Sequence, residues 1–459
     1  MSAAGLNVII VGGGASGALL AISLLRAPRP MTVTIVESRP LLARGFAYGE
    51  AAPFHLLNVR AANMSAHQDE PDHLLEWLDR KGDVPGVTGG GSFRFVPRRI
   101  YGDYLAEQLD ASARAGQGLQ RIQGEAISLT RTGRGISIGL RDGRRIEGDI
   151  AVIATGYALR SPSGFARELA SWTPFASSSL TGLEHVLILG TGHSAVDHVQ
   201  LLIAAGYKGK ITMLSRHGFL PAVHHRVEPA AIDAQDIPFG ARMSEVWRWV
   251  RQYAAAVERK GGDWRSVLDG LRPRAQALWQ SLSVEEQRRF IRHARAWYDV
   301  RRHRLAPSIG ATLERLTDSG RLEVVSGRLL SVTETDEGAV VAYRRRGTRV
   351  EQALTVQGII ECVGFDLNPR SGRNPLLLDL LAKGLAQEGP HGLGLSVSSA
   401  CAVVDTSGRP ATDLYAIGPL TRGQFWEVVG LPDIRQQCAG LALELSAYPN
   451  SSARAAAAQ

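Results

Sequence analysis

The sequence predicts an α/β chain of two Rossmann-like domains, the second carrying a helical insertion. Three observations predict it: two glycine-rich loops, a repeated order of elements behind each loop, and a Trp- and Arg-rich helical stretch without a counterpart in the first half. The first loop is Gly12-x-Gly14-x-x-Gly17, after the apolar run 8–11, and the second is Gly190-x-Gly192-x-x-Ala195, after the run 186–189. Each lies between a strand-like and a helix-like run, the context that a phosphate-cradling turn requires. Ser16 and Ser194 stand in the helix starts behind them. The first unit closes on Glu37, 25 residues past Gly12, and the second on Ser215-Arg216, with Arg216 26 residues past Gly190. A carboxylate at that place accepts hydrogen bonds from ribose hydroxyls, whereas an arginine suits a 2′-phosphate. Two loops with opposite charges behind them predict two different dinucleotides, and so an enzyme that moves electrons.

Behind the first loop, short alternating segments at 124–131, 135–141 and 144–147, with a turn at Asp142-Gly143, lead into an apolar strand ending at Ala154-Thr155-Gly156. Behind the second, segments at 321–325, 329–335 and 339–344 lead into an apolar strand ending at Val363-Gly364. The same order occurring twice predicts an internal duplication. Between the copies, residues 229–310 read as helical. Trp247, Trp249, Val250 and Tyr253 suggest one helix face, and Phe290, His293, Ala294 and Trp297 another. The glycine-rich stretch 81–92 reads as a surface loop, and the residues from Tyr448 onward as a loose tail.

With 459 residues, two or three domains are expected. No apolar run approaches the ~20 residues of a membrane span, and the N-terminus lacks the basic-then-apolar pattern of a signal peptide. Three widely spaced cysteines (Cys362, Cys401, Cys438) fit a reducing cytoplasm rather than a zinc site or disulfide framework, so no metal is expected. The net charge of +8 comes from arginines spread along the chain, and aromatic residues make up only 6%, which argues against nucleic acid and for small anionic ligands.

Several motifs narrow the class: Gly45-Phe-Ala-Tyr-Gly49, His55-Leu-Leu-Asn-Val59 with Asn63-Met-Ser65, Arg301-Arg-His-Arg304, and Leu414-Tyr-Ala-Ile-Gly-Pro-Leu420 followed by Phe425-Trp-Glu427. With them the chain resembles the two-dinucleotide, glutathione-reductase-like flavoproteins. More narrowly, it resembles the FAD/NAD(P)-binding family that includes FAD-dependent urate hydroxylases and an aspartate N-oxygenase. The resemblance implies FAD on the first loop, with Gly12, Gly14 and Gly17 at the pyrophosphate, Glu37 at the ribose, Asn58, Met64 and Gly156 near the flavin, and Gly418 beside the ribityl chain. Pro419 replaces the Asp that often follows this glycine, so the ribityl partner stays unnamed. The second loop would take the nicotinamide cofactor, NADPH rather than NADH on the argument from Arg216. The implied layout is an FAD-binding domain at 1–180 and 367–447, an NAD(P)-binding domain at 181–228 and 311–366, the insertion at 229–310, and the tail at 448–459.

The chemistry then divides by where electrons leave. No redox cysteine pair is present in the sequence, which disfavours dithiol reductases. A fingerprint of related monooxygenases, Phe-x-Gly-x-x-x-His-x-x-x-Trp, is matched only by Gly164 and Trp172, with Pro162 and Glu168 in the other places. The expected activity is an FAD-dependent, NAD(P)H-consuming monooxygenase that uses molecular oxygen to hydroxylate a small polar or anionic substrate through a flavin hydroperoxide. Urate, giving 5-hydroxyisourate, is the leading substrate. Alternatives are N-hydroxylation of an amino acid or amine, a reductase without oxygen insertion, and a flavin redox sensor. Substrate candidates are His224-His225-Arg226 and Arg301-Arg302-His303-Arg304. From these and the histidine motif come His55 and His225 as candidate bases and Arg304 as a candidate anion ligand.

Overall fold

A computed structural model describes residues 5–115, 118–133, 135–159, 163–165, 169, 180–371 and 373–448. Strand β1 (Leu6–Val11), helix α1 (Ala15–Leu25) and strand β2 (Met31–Glu37) form the first βαβ unit. Helices α2 (Gly45–Gly49), α3 (His73–Lys81) and α4 (Arg98–Ala115) lead to β3 (Leu119–Gln123), and the meander β4 (Ala126–Thr132), β5 (Gly135–Leu140) and β6 (Arg145–Gly148) returns to β7 (Ile150–Ile153). After the short β8 (Ala158–Leu159), the unit repeats as β9 (His185–Leu189), α5 (His193–Ala204) and β10 (Lys210–Ser215). The insertion holds α6 (Met243–Arg259), α7 (Trp264–Leu271), α8 (Ala275–Ser281), α9 (Val284–Arg289) and α10 (Arg295–Arg302). Then come α11 (Pro307–Asp318), β11 (Leu322–Thr335), β12 (Gly338–Arg345), β13 (Glu351–Val356), β14 (Gly358–Glu361) and β15 (Phe365–Asp366). The chain closes with α12 (Pro375–Ala382), β16 (Ala402–Val404), β17 (Pro410–Ala416) and α13 (Leu431–Ser446).

The first sheet runs β16-β17-β7-β1-β2-β3 and the second β13-β12-β11-β10-β9-β14. In the first, β17, β7, β1, β2 and β3 are mutually parallel; in the second, β14, β9, β10 and β11 are. The parallel cores superpose in order (β7, β1, β2, β3 on β14, β9, β10, β11), which is the duplication seen as architecture. Parallel strands need both faces covered, and the sequence complies: residues 8–11 and 150–153 are all buried. Helix α1, apolar almost all round, lies between the sheet, α4 and α13.

Several details differ from the sequence reading. Strand β3 was not expected. The segments 321–325 and 329–335 form one strand, β11, because Gly327 is not a turn residue: a Cβ there would lie 2.9 Å from the Arg344 carbonyl oxygen, so glycine serves the close approach of β12. The third meander strand is β13. In the insertion, Met243, Val246 and Val250 form the buried stripe of α6, with Trp247 and Trp249 at its edge. Phe290 and Ala294 are buried but His293 is exposed, because Phe290–Ala294 is a π-helical turn that resets the helix face. The insertion's core includes Leu393 and Trp426 from the returning segment of the first domain. Among the described residues no helix is long and apolar enough to cross a membrane.

Candidate functional site

The glycines of the first loop are required by contact. Gly12 has φ +107°, and a Cβ there would lie 2.6 Å from the Ala154 oxygen; at Gly17 it would lie 1.9 Å from the Gly12 oxygen. The loop can therefore pass tightly from β1 into α1, leaving the first backbone N–H groups of α1 free to meet an anion. Gly45 (φ +51°) packs on Gly14, where a Cβ would come within 3.2 Å, so the motif at 45–49 is a backing for the loop. The Glu37 carboxylate accepts from the N–H of Gly13 (2.7 Å) and of Arg39 (2.9 Å), which fixes it at the C-terminal end of β2. It lines a cleft of 280 Å³ with Arg39, Leu42, Arg121 and Gln123. From the far end of the chain, Gly418 (φ +69°) sits over Ser16, whose Oγ would be 2.5 Å from an added Cβ. Gln437 holds this crossing, accepting from the Gly418 N–H at 2.7 Å and donating to Thr421 Oγ1 at 3.0 Å. Sequence reasoning missed Gln437 and Thr421, since nothing local marks either. Gly156 (φ +69°) lies just beyond β7, at the same strand ends.

The second loop repeats the geometry. Gly190 has φ +133°, and a Cβ would meet the Cys362 oxygen at 2.4 Å, as Gly12 meets Ala154. Gly192 precedes α5 and faces open space; Ser194 lies in the first turn. Thr191 and Ser215 hydroxyls bond across the loop at 2.9 Å. Arg216 is exposed, and both it and Arg346 lie near His217, whose pKa is lowered by burial and by these two cations. The residues present suit two dinucleotides, with glycine cradles that a Cβ would fill, a carboxylate behind one loop, and cations behind the other.

The remaining candidates fall elsewhere. His55 is buried, with Nδ1 accepting from the Ala52 N–H (3.1 Å) and Nε2 donating to the Asp197 carbonyl (3.2 Å). Burial lowers its pKa, and both nitrogens are engaged, so it is a neutral link between domains and not a free base. Arg304 is also corrected: it is buried, paired with Asp269 at 2.9 Å and donating to the carbonyls of Arg301 and Arg265, so it braces the insertion and offers nothing to a ligand. His225 is exposed and bonded to Asp263 at 2.9 Å, on the insertion's surface. Met64 is a core residue of the first domain. Asn58 is half-buried, and its carbonyl accepts from His224 Nε2 at 3.0 Å. Burial pushes the His224 pKa down to about 4. Arg226 lies over Phe93 and donates to the Gly90 carbonyl, tying the loop at 81–92 to the second domain. Of the fingerprint positions, Gly164 has φ +75°, whereas Pro162, Glu168 and Trp172 lie outside the described residues. The three thiols are free; burial pushes Cys401 up to about 12 and raises Cys362 and Cys438 as well. Among the described residues no group of three or more His, Cys, Asp or Glu could hold a metal ion.

Two sequence motifs meet where the insertion closes on the first domain. Arg302 pairs with Glu427 at 2.8 Å, Tyr298 donates to the same carboxylate at 2.7 Å, and Arg272 pairs with Asp433 at 3.3 Å. Arg302 and Glu427 are both under 10% exposed, so this junction is desolvated.

Two glycine loops at the carboxyl ends of two duplicated parallel sheets define a fold with two dinucleotide-binding domains. Residues 9–158 match the family model described as FAD-NAD(P)-binding. Among solved structures, L-lysine 6-monooxygenase from Pseudomonas syringae is 16% identical with a TM-score of 0.62, covering 96% of this chain and 99% of that one. The FAD-bound cadaverine monooxygenase of desferrioxamine biosynthesis from Erwinia amylovora is 12% identical, TM-score 0.61, covering 97% and 95%. Ornithine N-hydroxylase from Kutzneria sp. 744, in a complex of reduced FAD, NADP+ and L-ornithine, is 16% identical, TM-score 0.59, covering 96% and 99%. No curated protein matches the sequence significantly.

Proposed function

We propose that this protein is an FAD-dependent, NADPH-consuming monooxygenase that hydroxylates the nitrogen of a small amine or amino acid. The observation that carries the reading is the pair of unlike glycine loops, backed by a fixed Glu37 carboxylate in one unit and an exposed Arg216 in the other, a pairing that suits a flavin nucleotide and a nicotinamide nucleotide. When bound, FAD supplies two-electron chemistry between the nicotinamide and oxygen. The chain's own part is positional. The α1 N-terminus would hold one pyrophosphate and Glu37 its ribose; the loop at Gly190, Gly192 and Ser194 would hold the other, with Arg216 at the 2′-phosphate. Balance requires one NADPH, one oxygen molecule and one proton per hydroxylated nitrogen, with NADP+ and one water released.

Oxygen insertion is favoured over dithiol reduction because the three thiols are largely buried and raised in pKa. The fold shared over 96–97% of the chain with a lysine 6-monooxygenase, a cadaverine monooxygenase and an ornithine N-hydroxylase supports nitrogen as the target over urate. The test is purified, FAD-loaded protein with NADPH, oxygen and a panel of amines, amino acids and urate. Expected is an amine that stimulates NADPH and oxygen consumption together and appears as a hydroxylamine. Peroxide equal to the NADPH consumed, with every compound, overturns the reading.

A further inference from the structure

The helical insertion carries a cleft of its own. It measures 830 Å³ and is walled by α6, α7 and α10. None of its lining residues comes from a glycine loop, and neither Glu37 nor Arg216 reaches it. Helix α6 turns one face to it by spacing. Met243 and Val246 point into the insertion's core, whereas Ser244, Trp247, Arg248, Arg251 and Glu258, at steps of three, four and seven, line the cleft.

Indole rings and guanidinium groups make up most of this wall. Trp247, Trp264 and Trp297 are half-buried along it, Trp247 and Trp297 meeting edge to face at 4.3 Å. The Arg301 guanidinium lies 3.9 Å from the Trp297 ring centre and 5.9 Å from that of Trp264. Stacking uses the faces of a guanidinium and leaves its in-plane N–H donors open. Among the described residues those donors have no acceptor: Arg301 makes no ion pair and no side-chain hydrogen bond. Burial lowers its pKa with no carboxylate opposing the fall. Its neighbours are matched. Arg302 pairs with Glu427, Arg304 with Asp269, and Arg265, itself 4.5 Å over Trp264, with Asp263. Arg248 and Arg251, exposed on α6, also make no ion pair among the described residues, and Glu258 is the one carboxylate on the wall.

Flat indole surfaces take a flat ring, and unmatched guanidinium groups take an anion. Arg301 offers a single fork, which matches the two oxygens of a carboxylate. The volume lies in the range of small-molecule sites, roughly 300–1,000 Å³. We propose that the cleft between α6, α7 and α10 binds a planar aromatic carboxylate, its ring against Trp247, Trp264 and Trp297 and its carboxylate on Arg301, with Arg248 and Arg251 drawing the anion in. This site lies apart from both dinucleotide loops, and it stands or falls independently of the N-hydroxylation reading.

Calorimetric titration of the full-length protein tests it, with FAD and NADP+ both saturating so that the dinucleotide loops are filled. The probe is indole-3-carboxylate. Indole-3-carboxamide keeps the ring without the charge, and cyclohexanecarboxylate keeps the charge without a flat ring. Expected is one site that binds the probe at least about tenfold more tightly than either control. Arg301→Met keeps an alkyl stem on Trp297 and should weaken the probe about tenfold or more, while moving the carboxamide by less than about twofold. Trp247→Leu should weaken probe and carboxamide alike, by about threefold to tenfold. Arg248→Gln combined with Arg251→Gln alters only exposed side chains, which keeps the test open if Arg301→Met fails to fold. That pair should weaken the probe about threefold and flatten its loss of affinity with salt. No binding of the probe, a control that binds as tightly, or arginine variants that bind the probe like wild type overturn the proposal.

Discussion

Glu37 and Arg216 occupy matching places in the two units, and their surroundings show how differently each is used. Glu37 is locked by two backbone N–H groups, so its carboxylate orientation is set before any ligand arrives. Arg216 is exposed beside Arg346 and His217, a loose cationic rim rather than a fixed fork. Arg216→Ala should therefore raise KM for NADPH about tenfold and leave that for NADH nearly unchanged, as steady-state kinetics with both cofactors would register. Gly17→Ala should abolish FAD retention, since its Cβ would sit 1.9 Å from the Gly12 oxygen and backbone must move; absorbance of the purified protein reports it. The histidines give a pH dependence. His224, half-buried and bonded to Asn58, has a folded pKa of about 4, below the usual value of 6.5. The unfolded chain thus binds the proton first, so the stability this residue contributes is complete above 6.5 and is lost as pH falls toward 4. The melting temperature should drop across that window, and His224→Gln should flatten the drop.

At the scale of elements, the insertion is an arm that grips the domain it did not come from. Trp279, on α8, donates to the Gly423 carbonyl at 3.2 Å and packs on Trp426 at 4.8 Å and Phe290 at 5.9 Å. Trp279→Ala should cost about 3–5 kcal/mol by removing buried aromatic volume, measured by denaturant unfolding. Arg304→Ala should cost a similar amount, about 3–5 kcal/mol, because Asp269 loses its buried partner; if Arg304 instead bound a ligand, the loss would appear in affinity with stability kept. The run Arg301-Arg302-His303-Arg304 reads in one dimension as a cluster for an anion. On the helix its members diverge: Arg301 lies over Trp297 at 3.9 Å, Arg302 pairs with Glu427, and Arg304 turns inward to Asp269. Adjacent cations repel and each finds its own carboxylate or ring, which is why spacing alone misassigned the run.

At the scale of the molecule, the two dinucleotide units are joined by polar links that cross from one to the other. Arg98 at the start of α4 pairs with Asp197 of α5 through both oxygens, at 2.6 and 3.1 Å, and His55 bonds the Asp197 carbonyl. His193, at the start of α5, bonds the His303 carbonyl of the insertion at 3.0 Å. Arg98→Met should leave FAD and NADPH each bound but slow reduction of the flavin by NADPH, an effect that stopped-flow absorbance separates from affinity. The sequence by itself determined the two βαβ units, the need for glycine at 12, 17 and 190, and the unlike charges behind the loops. All of these follow from local rules: strand runs, tight turns, and an offset fixed by one helix and one strand. It also carried the motifs Arg301–Arg304 and Phe425–Glu427, but not that Arg302 and Glu427 bind each other. Only the tertiary structure decided that pairing, the burial of His55 and Arg304, and the crossing held by Gln437. Each joins residues more than a hundred positions apart or turns on which face of a helix is covered, and a linear pattern holds no information on either.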